Sequence, residues 1–276
     1  MLATLNDVLL PAKKGGYAVG LFNTIDTDML QAVIEAAEEL RSPVIVGTAE
    51  ILLPYGELSL IAPSVVECAK NAKVPVVVHY DHGLTKERCR EALQRGFSSV
   101  MFDGSLGDYA LNCSNTREIV AYAHAMGATV EGEIGHVGTS GVQSDADRYT
   151  TIEEAEDFLN ATGVDALAVA VGTVHGVYRQ EPRLDFERLA LLNKKLNVPL
   201  VIHGGSGLTD DDFRRLIACG AAKINIFTDL TLAGRRAMQE GLKADMDYLD
   251  LRNHKVDTIK QDVMKKIKLF GSAGRA

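Results

Sequence analysis

Eight short apolar runs rich in β-branched residues alternate with segments whose apolar residues recur at helical spacing. The runs occupy residues 17–22, 44–47, 76–79, 99–103, 129–132, 166–171, 200–203 and 223–226. Strands that are apolar throughout are typical of parallel sheets covered on both faces. The chain therefore predicts an α/β fold, a (β/α)8 TIM barrel with an N-terminal helix at residues 4–14 and a C-terminal helical extension at residues 229–270.

Length and composition agree with this architecture and restrict the partners. A chain of 276 residues that is 46% apolar can bury one large core, so we expect a single barrel domain over residues 1–276. The net charge of −8 and the lack of a long basic run argue against nucleic acid. No segment resembles a signal peptide or a membrane span, which predicts a cytoplasmic protein. The four cysteines are scattered and predict reduced thiols.

Three histidines follow apolar runs at points where glycine begins a turn. His82 and His175 each precede a glycine directly, and His203 begins the sequence His-Gly-Gly-Ser-Gly. In a barrel of parallel strands, the carboxyl ends of the strands meet at one face. Zn²⁺ accepts neutral imidazole, and catalytic zinc sites use three protein ligands and leave one position open. The three histidines therefore predict a catalytic metal site.

Asp81 directly precedes His82, and its carboxylate is a candidate acid/base group beside that metal. The alternative is that Asp81 only caps the helix that follows. His79, two residues earlier, is interpreted either as a histidine of the barrel interior or as one that contacts the metal ligands without binding the metal.

Further carboxylates end two other strands. Asp103 and Glu133 could each add a metal ligand or form a second site, or they could orient the imidazoles that bind the metal. Glu131 should share a face with Glu133 and could belong to a buried polar layer.

A glycine-rich turn follows His203 and leads into a predicted helix with a capping box formed by Thr209 and Asp212. Successive backbone N–H groups in such a turn can bind an anion. Phosphate sites in barrels are commonly built from the loops after the last two strands, so residues 223–228 would supply the other half. Together the two loops predict a phosphorylated substrate.

Taken as a set, these motifs resemble the class II, metal-dependent fructose/tagatose-bisphosphate aldolase family over nearly the whole chain. The motifs appear in the family's order: Phe22-Asn23, His79-Tyr-Asp81-His82-Gly83, Glu131-Gly-Glu133-Ile-Gly135, Gly172-Thr-Val-His175-Gly176, His203-Gly-Gly-Ser206-Gly207, Lys223-Ile-Asn225-Ile-Phe-Thr228 and Leu269-Phe-Gly-Ser-Ala-Gly274.

The resemblance implies reversible aldol cleavage of a phosphorylated ketose to dihydroxyacetone phosphate and a small aldehyde such as glyceraldehyde 3-phosphate. It implies zinc bound by His82, His175 and His203, and Asp81 as the proton donor and acceptor. Asp103 and Glu133 would lie near a second or alternate cation position. A homodimer or homotetramer is also implied. The residues implied for the dihydroxyacetone phosphate end are Gly176, Gly204, Gly205, Ser206, Asn225, Ile226, Phe227 and Thr228, with Asn23 near the aldehyde half.

Three positions depart from the family pattern. Gly141 stands where a loop glutamate is usual, with Asp145 or Asp147 as candidate substitutes. Thr48 aligns with a serine that helps to bind the distal phosphate of a bisphosphate. Val256 aligns with an arginine used for the same phosphate, for which Arg179 and Arg252 are candidate replacements. A ketose 1-phosphate is therefore an alternative substrate.

Two other functions are compatible with these motifs. A metal-dependent sugar-phosphate epimerase or isomerase could use the same enediolate chemistry, because a fold does not fix a reaction. A non-catalytic sugar-phosphate-binding protein could keep the metal site without the loop base, which Gly141 would permit.

Overall fold

The computed structural model of the chain describes residues 1–135, 138–139, 149–176, 178 and 181–276. Within these residues, eight parallel strands and the helices that follow them form the predicted (β/α)8 barrel. The strands are β1 (Val19–Asn23), β2 (Val44–Ala49), β3 (Val76–Gly83), β4 (Ser99–Phe102), β5 (Thr129–Ile134), β6 (Ala166–Val169), β7 (Leu200–Ile202) and β8 (Ala221–Ile226).

The strands pair in the order β3, β2, β1, β8, β7, β6, β5 and β4, and a final pairing of β4 with β3 closes the barrel. The prediction of a TIM barrel is confirmed. The predicted runs differ from the strands by one to four residues at their ends. Most notably, β3 extends to Gly83 rather than ending at residue 79, so that Asp81 and His82 lie within the strand.

Helices cover the outside of the barrel and its amino-terminal end. They are α1 (Leu5–Gly15), α2 (Thr27–Glu39), α3 (Leu58–Asn71), α4 (Lys86–Gln94), α5 (Tyr109–Ala125), α6 (Ile152–Thr162), α7 (Phe186–Lys195), α8 (Asp210–Ala218), α9 (Thr228–Lys243) and α10 (Tyr248–Phe270), with a 3₁₀ helix at Glu50–Tyr55. None of the helices in the described part of the chain is long and apolar enough to cross a membrane.

The N-terminal helix that the sequence predicted is present as α1, and it closes the amino-terminal end of the barrel. Thr4 and Asp7 form a capping box at its start. Its buried residues belong to one apolar cluster with lumen-facing residues of the strands, among them Val19, Val77 and Val201. Apolar side chains thus fill the lumen near the amino-terminal ends of the strands, and the polar side chains of the lumen lie near the carboxyl ends.

The other predicted extension is also helical. α9 and α10 form a helical pair, and α10 packs against both α9 and α2. Asp28 on α2 forms ion pairs with two residues of α10. Its Oδ1 lies 2.8 Å from Arg252 Nε, and its Oδ2 lies 2.5 Å from Lys255 Nζ. These contacts hold the C-terminal helix against α2, beside β1.

Candidate metal centre and active site

Three histidines from different strands meet at the carboxyl end of the barrel. His82 lies in β3, His175 in a two-residue strand at Val174–His175 beyond β6, and His203 directly after β7. The ring centroids are 4.5 Å apart for His82 and His203, 5.0 Å for His82 and His175, and 5.8 Å for His175 and His203. One nitrogen from each ring lies within 4.8 Å of the others. The three rings could therefore bind one ion.

Close packing between loops brings His175 beside His203. Gly204 has a φ of 68°, and a Cβ at this position would lie only 2.4 Å from the carbonyl oxygen of Val174. The Tyr178 hydroxyl donates to the Gly204 carbonyl at 2.8 Å and accepts from the Val174 N–H at 3.1 Å. Glycine and this tyrosine thus hold the two histidine-bearing loops together.

Carboxylates orient two of the three rings. Asp103 Oδ2 lies 2.7 Å from His82 Nδ1, and Glu131 Oε1 lies 2.8 Å from His203 Nε2. These contacts leave His82 Nε2 and His203 Nδ1 facing each other at 2.8 Å. Histidines that bind a metal through one ring nitrogen usually donate the N–H of the other ring nitrogen to such a carboxylate. The donor set therefore fits a divalent cation that accepts imidazole.

The carboxylates also set the charge of the rings. Burial lowers the pKa of His82, but Asp81, Asp103 and Glu133 raise it more strongly, to about 10. Burial and the neighbouring His82 and His203 lower the pKa of His175 to about 3. His175 is consequently neutral at physiological pH, and its lone pair is available to a cation.

Asp103 and Glu133 form a second group with His82, in which one ligand atom from each lies within 4.8 Å of the others. The sequence predicted these carboxylates near a second or alternate cation. It left Glu131 as a member of a buried layer, and the structure adds its contact with His203. Periodicity alone identified the face of Glu131 but could not identify its partner.

Asp81 lies beside the histidines and is held by two amides. Asn23 Nδ2 donates to Asp81 Oδ2 at 2.8 Å, and Asn225 Nδ2 lies 3.2 Å from both carboxylate oxygens. Burial raises the pKa of Asp81, but the positive charges of His82, His203 and Lys223 outweigh it and hold that pKa far below its usual range. Asp81 does not cap α4, because Thr85 fills that position.

A bulge allows consecutive residues to serve one site. The register between β3 and β4 passes from Tyr80 opposite Val100 to Gly83 opposite Phe102, so one extra residue is inserted at Asp81 and His82. His82 has a φ of 46°, in the left-handed region. Neighbouring residues of a regular strand face opposite sides, and a bulge redirects one of them.

The loops after β7 and β8 lie together, as predicted for a phosphate site. Ser206 Oγ accepts from the N–H groups of Phe227 and Asp229 at the start of α9, and the Gly205 N–H donates to the Asn225 carbonyl. Ser206 thereby joins the two loops. Gly204, Gly205, Ile226, Phe227 and Thr228 lie in this region, whereas Gly176 with a φ of 93° follows His175.

The positions predicted for a distal phosphate do not converge on the lumen. Thr48 pairs in register with Tyr80, whereas Ala49 pairs with Asp81. Because paired residues share a face, Ala49 rather than Thr48 lies on the side of Asp81, and the prediction for Thr48 is disfavoured. Val256 is 3% exposed and belongs to the core of the helical layer. Arg252 is bound by Asp28 and Gln31.

Gly141, Asp145, Asp147 and Arg179 lie outside the described residues, so the predictions about the loop base and about Arg179 stay predictions.

Comparison with known proteins agrees with this geometry. Residues 3–275 match the family model for class-II fructose-bisphosphate aldolase. Fructose-bisphosphate aldolase of Staphylococcus aureus (strain Mu50) is 37% identical over 283 residues, which cover 100% of this chain and 99% of the relative.

Solved structures are similar as well. The YdjI aldolase of Escherichia coli K12 is 38% identical with a TM-score of 0.92 and full coverage of both chains. A protein from Coccidioides immitis described as a fructose-1,6-biphosphate aldolase is 30% identical with a TM-score of 0.88, over 98% of this chain and 96% of that one. The resemblance drawn from the motifs is confirmed: the chain belongs to the class II fructose-bisphosphate aldolase family, whose members are metal-dependent aldehyde-lyases.

Proposed function

We propose that the protein is a zinc-dependent aldolase that cleaves a ketose phosphate to dihydroxyacetone phosphate and an aldehyde. The observation that carries this proposal is the convergence of His82, His175 and His203 beside a buried Asp81. Zinc bound to the three imidazoles would act as a Lewis acid and stabilise the negative charge left on the ketone fragment.

Asp81 would move the proton in this reaction. Breaking the C3–C4 bond requires removal of the proton from the C4 hydroxyl, and condensation returns it. An ionised carboxylate is the form that accepts this proton. Asn23 and Asn225 donate to Asp81 and would hold it in one orientation toward the hydroxyl.

The loops joined by Ser206 would bind the phosphate of the dihydroxyacetone phosphate half. Residues Gly204, Gly205 and Asn225 to Thr228 surround the first turn of α9, where the N–H groups and the helix dipole favour an anion. Gly176 would lie at the same end. Asn23 on β1 would face the aldehyde half. Asp103 and Glu133 would either orient the His82 ring or bind a second cation.

The substrate is proposed to be fructose 1,6-bisphosphate or tagatose 1,6-bisphosphate. The name of the relative in Staphylococcus aureus, fructose-bisphosphate aldolase, supports the first of these. A second candidate is a ketose 1-phosphate. It is favoured by the pairing of Arg252 with Asp28 and by the burial of Val256, since neither described position offers an unpaired cation to a distal phosphate.

Cleavage assays would test both candidates. The zinc-loaded protein is incubated with fructose 1,6-bisphosphate, tagatose 1,6-bisphosphate and the two 1-phosphates, and released dihydroxyacetone phosphate is measured. Release from at least one compound, abolished by a chelator and restored by Zn²⁺, is expected. A single product of unchanged carbon number would instead identify an isomerase or epimerase. Tight binding without turnover of any ketose phosphate would identify a sugar-phosphate-binding protein.

A further inference from the structure

A charged layer lies inside the barrel directly below the candidate metal centre. Its charged members are the ion pair Glu131 and Lys223 on β5 and β8, and His79 on β3 lies beside them. All three side chains are 0% exposed. Burial of ionised groups is costly, and a barrel lumen can be filled with branched apolar residues instead. The apolar cluster around Val77 fills the lumen in this way. The charged layer is therefore not needed to fill space.

Within this layer, Lys223 and His203 contact opposite oxygens of one carboxylate. Lys223 Nζ lies 2.7 Å from Glu131 Oε2, and His203 Nε2 lies 2.8 Å from Glu131 Oε1. His79 Nε2 lies farther away, 3.9 Å from Glu131 Oε2. Because each oxygen of the Glu131 carboxylate has its own partner, the carboxylate is held in one orientation between His203 and Lys223.

That orientation determines which nitrogen of His203 can bind a metal. A carboxylate at Nε2 favours the imidazole tautomer with its proton on that atom, which leaves the lone pair on Nδ1. His203 Nδ1 is the atom that faces His82 Nε2. Without the carboxylate, the ring could rotate about χ2 or adopt the other tautomer, and both changes would remove this lone pair from the site.

We propose that Glu131 and Lys223 are positioning residues for the metal ligand His203: Lys223 holds Glu131, and Glu131 fixes the tautomer and direction of the imidazole. The inference rests on the proposed metal site. It also assigns a role to Lys223 other than that of a Schiff-base nucleophile, because its amine is enclosed in the lumen and ion-paired with Glu131.

The main test removes both members of the pair together. The double variant Glu131→Leu/Lys223→Met leaves the net charge of the layer unchanged, and apolar replacement of a buried ion pair is often tolerated. Zinc affinity of the metal-free protein is measured by competition with a chromophoric chelator. We expect affinity about 10–100-fold weaker than that of the wild type, as is usual when such a carboxylate is lost.

Two further variants separate positioning from general damage. Thr129→Val removes a buried polar group from the same strand, where Thr129 contacts Leu5 and Ser98 at the far end of the barrel. It should bind zinc like the wild type. Glu131→Gln/Lys223→Met restores an acceptor for His203 Nε2 without charge, and should recover most of the lost affinity. The Co²⁺ absorption spectrum should be altered in the leucine variant and recovered in the glutamine variant.

The outcomes distinguish this inference from the metal site itself. If the wild type bound no zinc, the proposed function would fail. If the wild type bound zinc and Glu131→Leu/Lys223→Met bound it within threefold, the positioning role would be wrong. Should the double variant not fold, ¹⁵N-histidine NMR of the metal-free wild type decides. A neutral His203 with its proton on Nε2 is expected, and a proton on Nδ1 would overturn the inference.

Discussion

His203 Nδ1 and His82 Nε2 face each other at 2.8 Å, while the second nitrogen of each ring contacts a carboxylate. Two nitrogens so close must share a proton or a cation, because two lone pairs repel each other. The same geometry thus accommodates a metal-free form with one shared proton and a form in which the rings turn toward a metal ion.

Replacement of His203 should remove zinc. His203→Ala deletes one of three ligands, and we expect zinc content measured by atomic absorption to fall to less than about a tenth of the wild-type value, with activity lost in parallel. His124→Ala is a matched control, because His124 lies on α5 and contacts Asp165 instead. Equal zinc content in the two variants would show that the site is misplaced.

Asp81→Asn should separate proton transfer from metal binding. Asparagine has almost the same shape but cannot accept the C4 proton, so kcat should fall by roughly two to four orders of magnitude. Zinc content should remain close to that of the wild type. Steady-state kinetics and metal analysis of the same preparation check both parts, and a near-normal kcat would exclude the assigned role.

Asp103→Ala should weaken zinc binding without abolishing it. The variant loses the carboxylate that holds His82 Nδ1, and the expected effect on the zinc Kd is about 10–100-fold. Asp108→Ala is a suitable control, because Asp108 caps the start of α5 and contacts Leu111. A Kd unchanged in Asp103→Ala would mean that His82 keeps its orientation through other contacts.

The contact between α2 and α10 should make stability depend on pH. Burial raises the pKa of Asp28, but the positive charges of Lys255 and Arg252 lower it by more than burial raises it. The folded pKa therefore lies below the usual 3.8. The stabilisation is present above the unfolded pKa and is lost as the pH falls through the lower, folded value. Asp28→Asn should cost roughly 0.5–1 kcal/mol near neutral pH.

Urea denaturation at several pH values tests this relationship. The gap in unfolding free energy between wild type and Asp28→Asn should be constant from about pH 5 to pH 7. It should close as the pH falls below the unfolded pKa and through the lower, folded value. A gap that widened on acidification would contradict the assignment of this ion pair.

Tyr178→Phe should loosen the two loops that carry His175 and His203. The substitution leaves the Val174 N–H and the Gly204 carbonyl without their hydroxyl partner, and the expected loss is roughly 1–3 kcal/mol of unfolding free energy. Thermal unfolding of the metal-free protein measures the loss. Tyr122→Phe provides the comparison, because it removes a hydroxyl on α5 that accepts a hydrogen bond from Gln94 on α4. Equal effects would show that the Tyr178 hydroxyl has no special structural role.

The fold was predictable because its signal repeats. Each buried strand contributes a similar apolar run, and eight repetitions compensate for errors at the individual ends. The extension of β3 through Asp81, His82 and Gly83 was not predictable. Charged residues are uncommon in strands, and the alternation of apolar and polar residues does not indicate where a bulge is inserted.

The site was predictable as a group of residues more than as a set of contacts. The strand-end histidines predicted a candidate metal centre, because the carboxyl ends of the strands meet at one face of the barrel. The partnership of Glu131 with His203 and Lys223 joins three strands that are distant in the sequence, and nothing local to Glu131 identifies them. Thr48 illustrates the same limit, since one residue of register decides which face it occupies.

The bulge in β3 places Asp81 and His82 on one dipeptide. The distance between the two Cα atoms is therefore fixed by covalent geometry, and the directions in which the two side chains leave the backbone depend on local torsions at the bulge. Contacts from other strands then orient the carboxylate and the imidazole. Substitutions elsewhere in the barrel that shift the packing of its helices should therefore leave this backbone spacing unchanged.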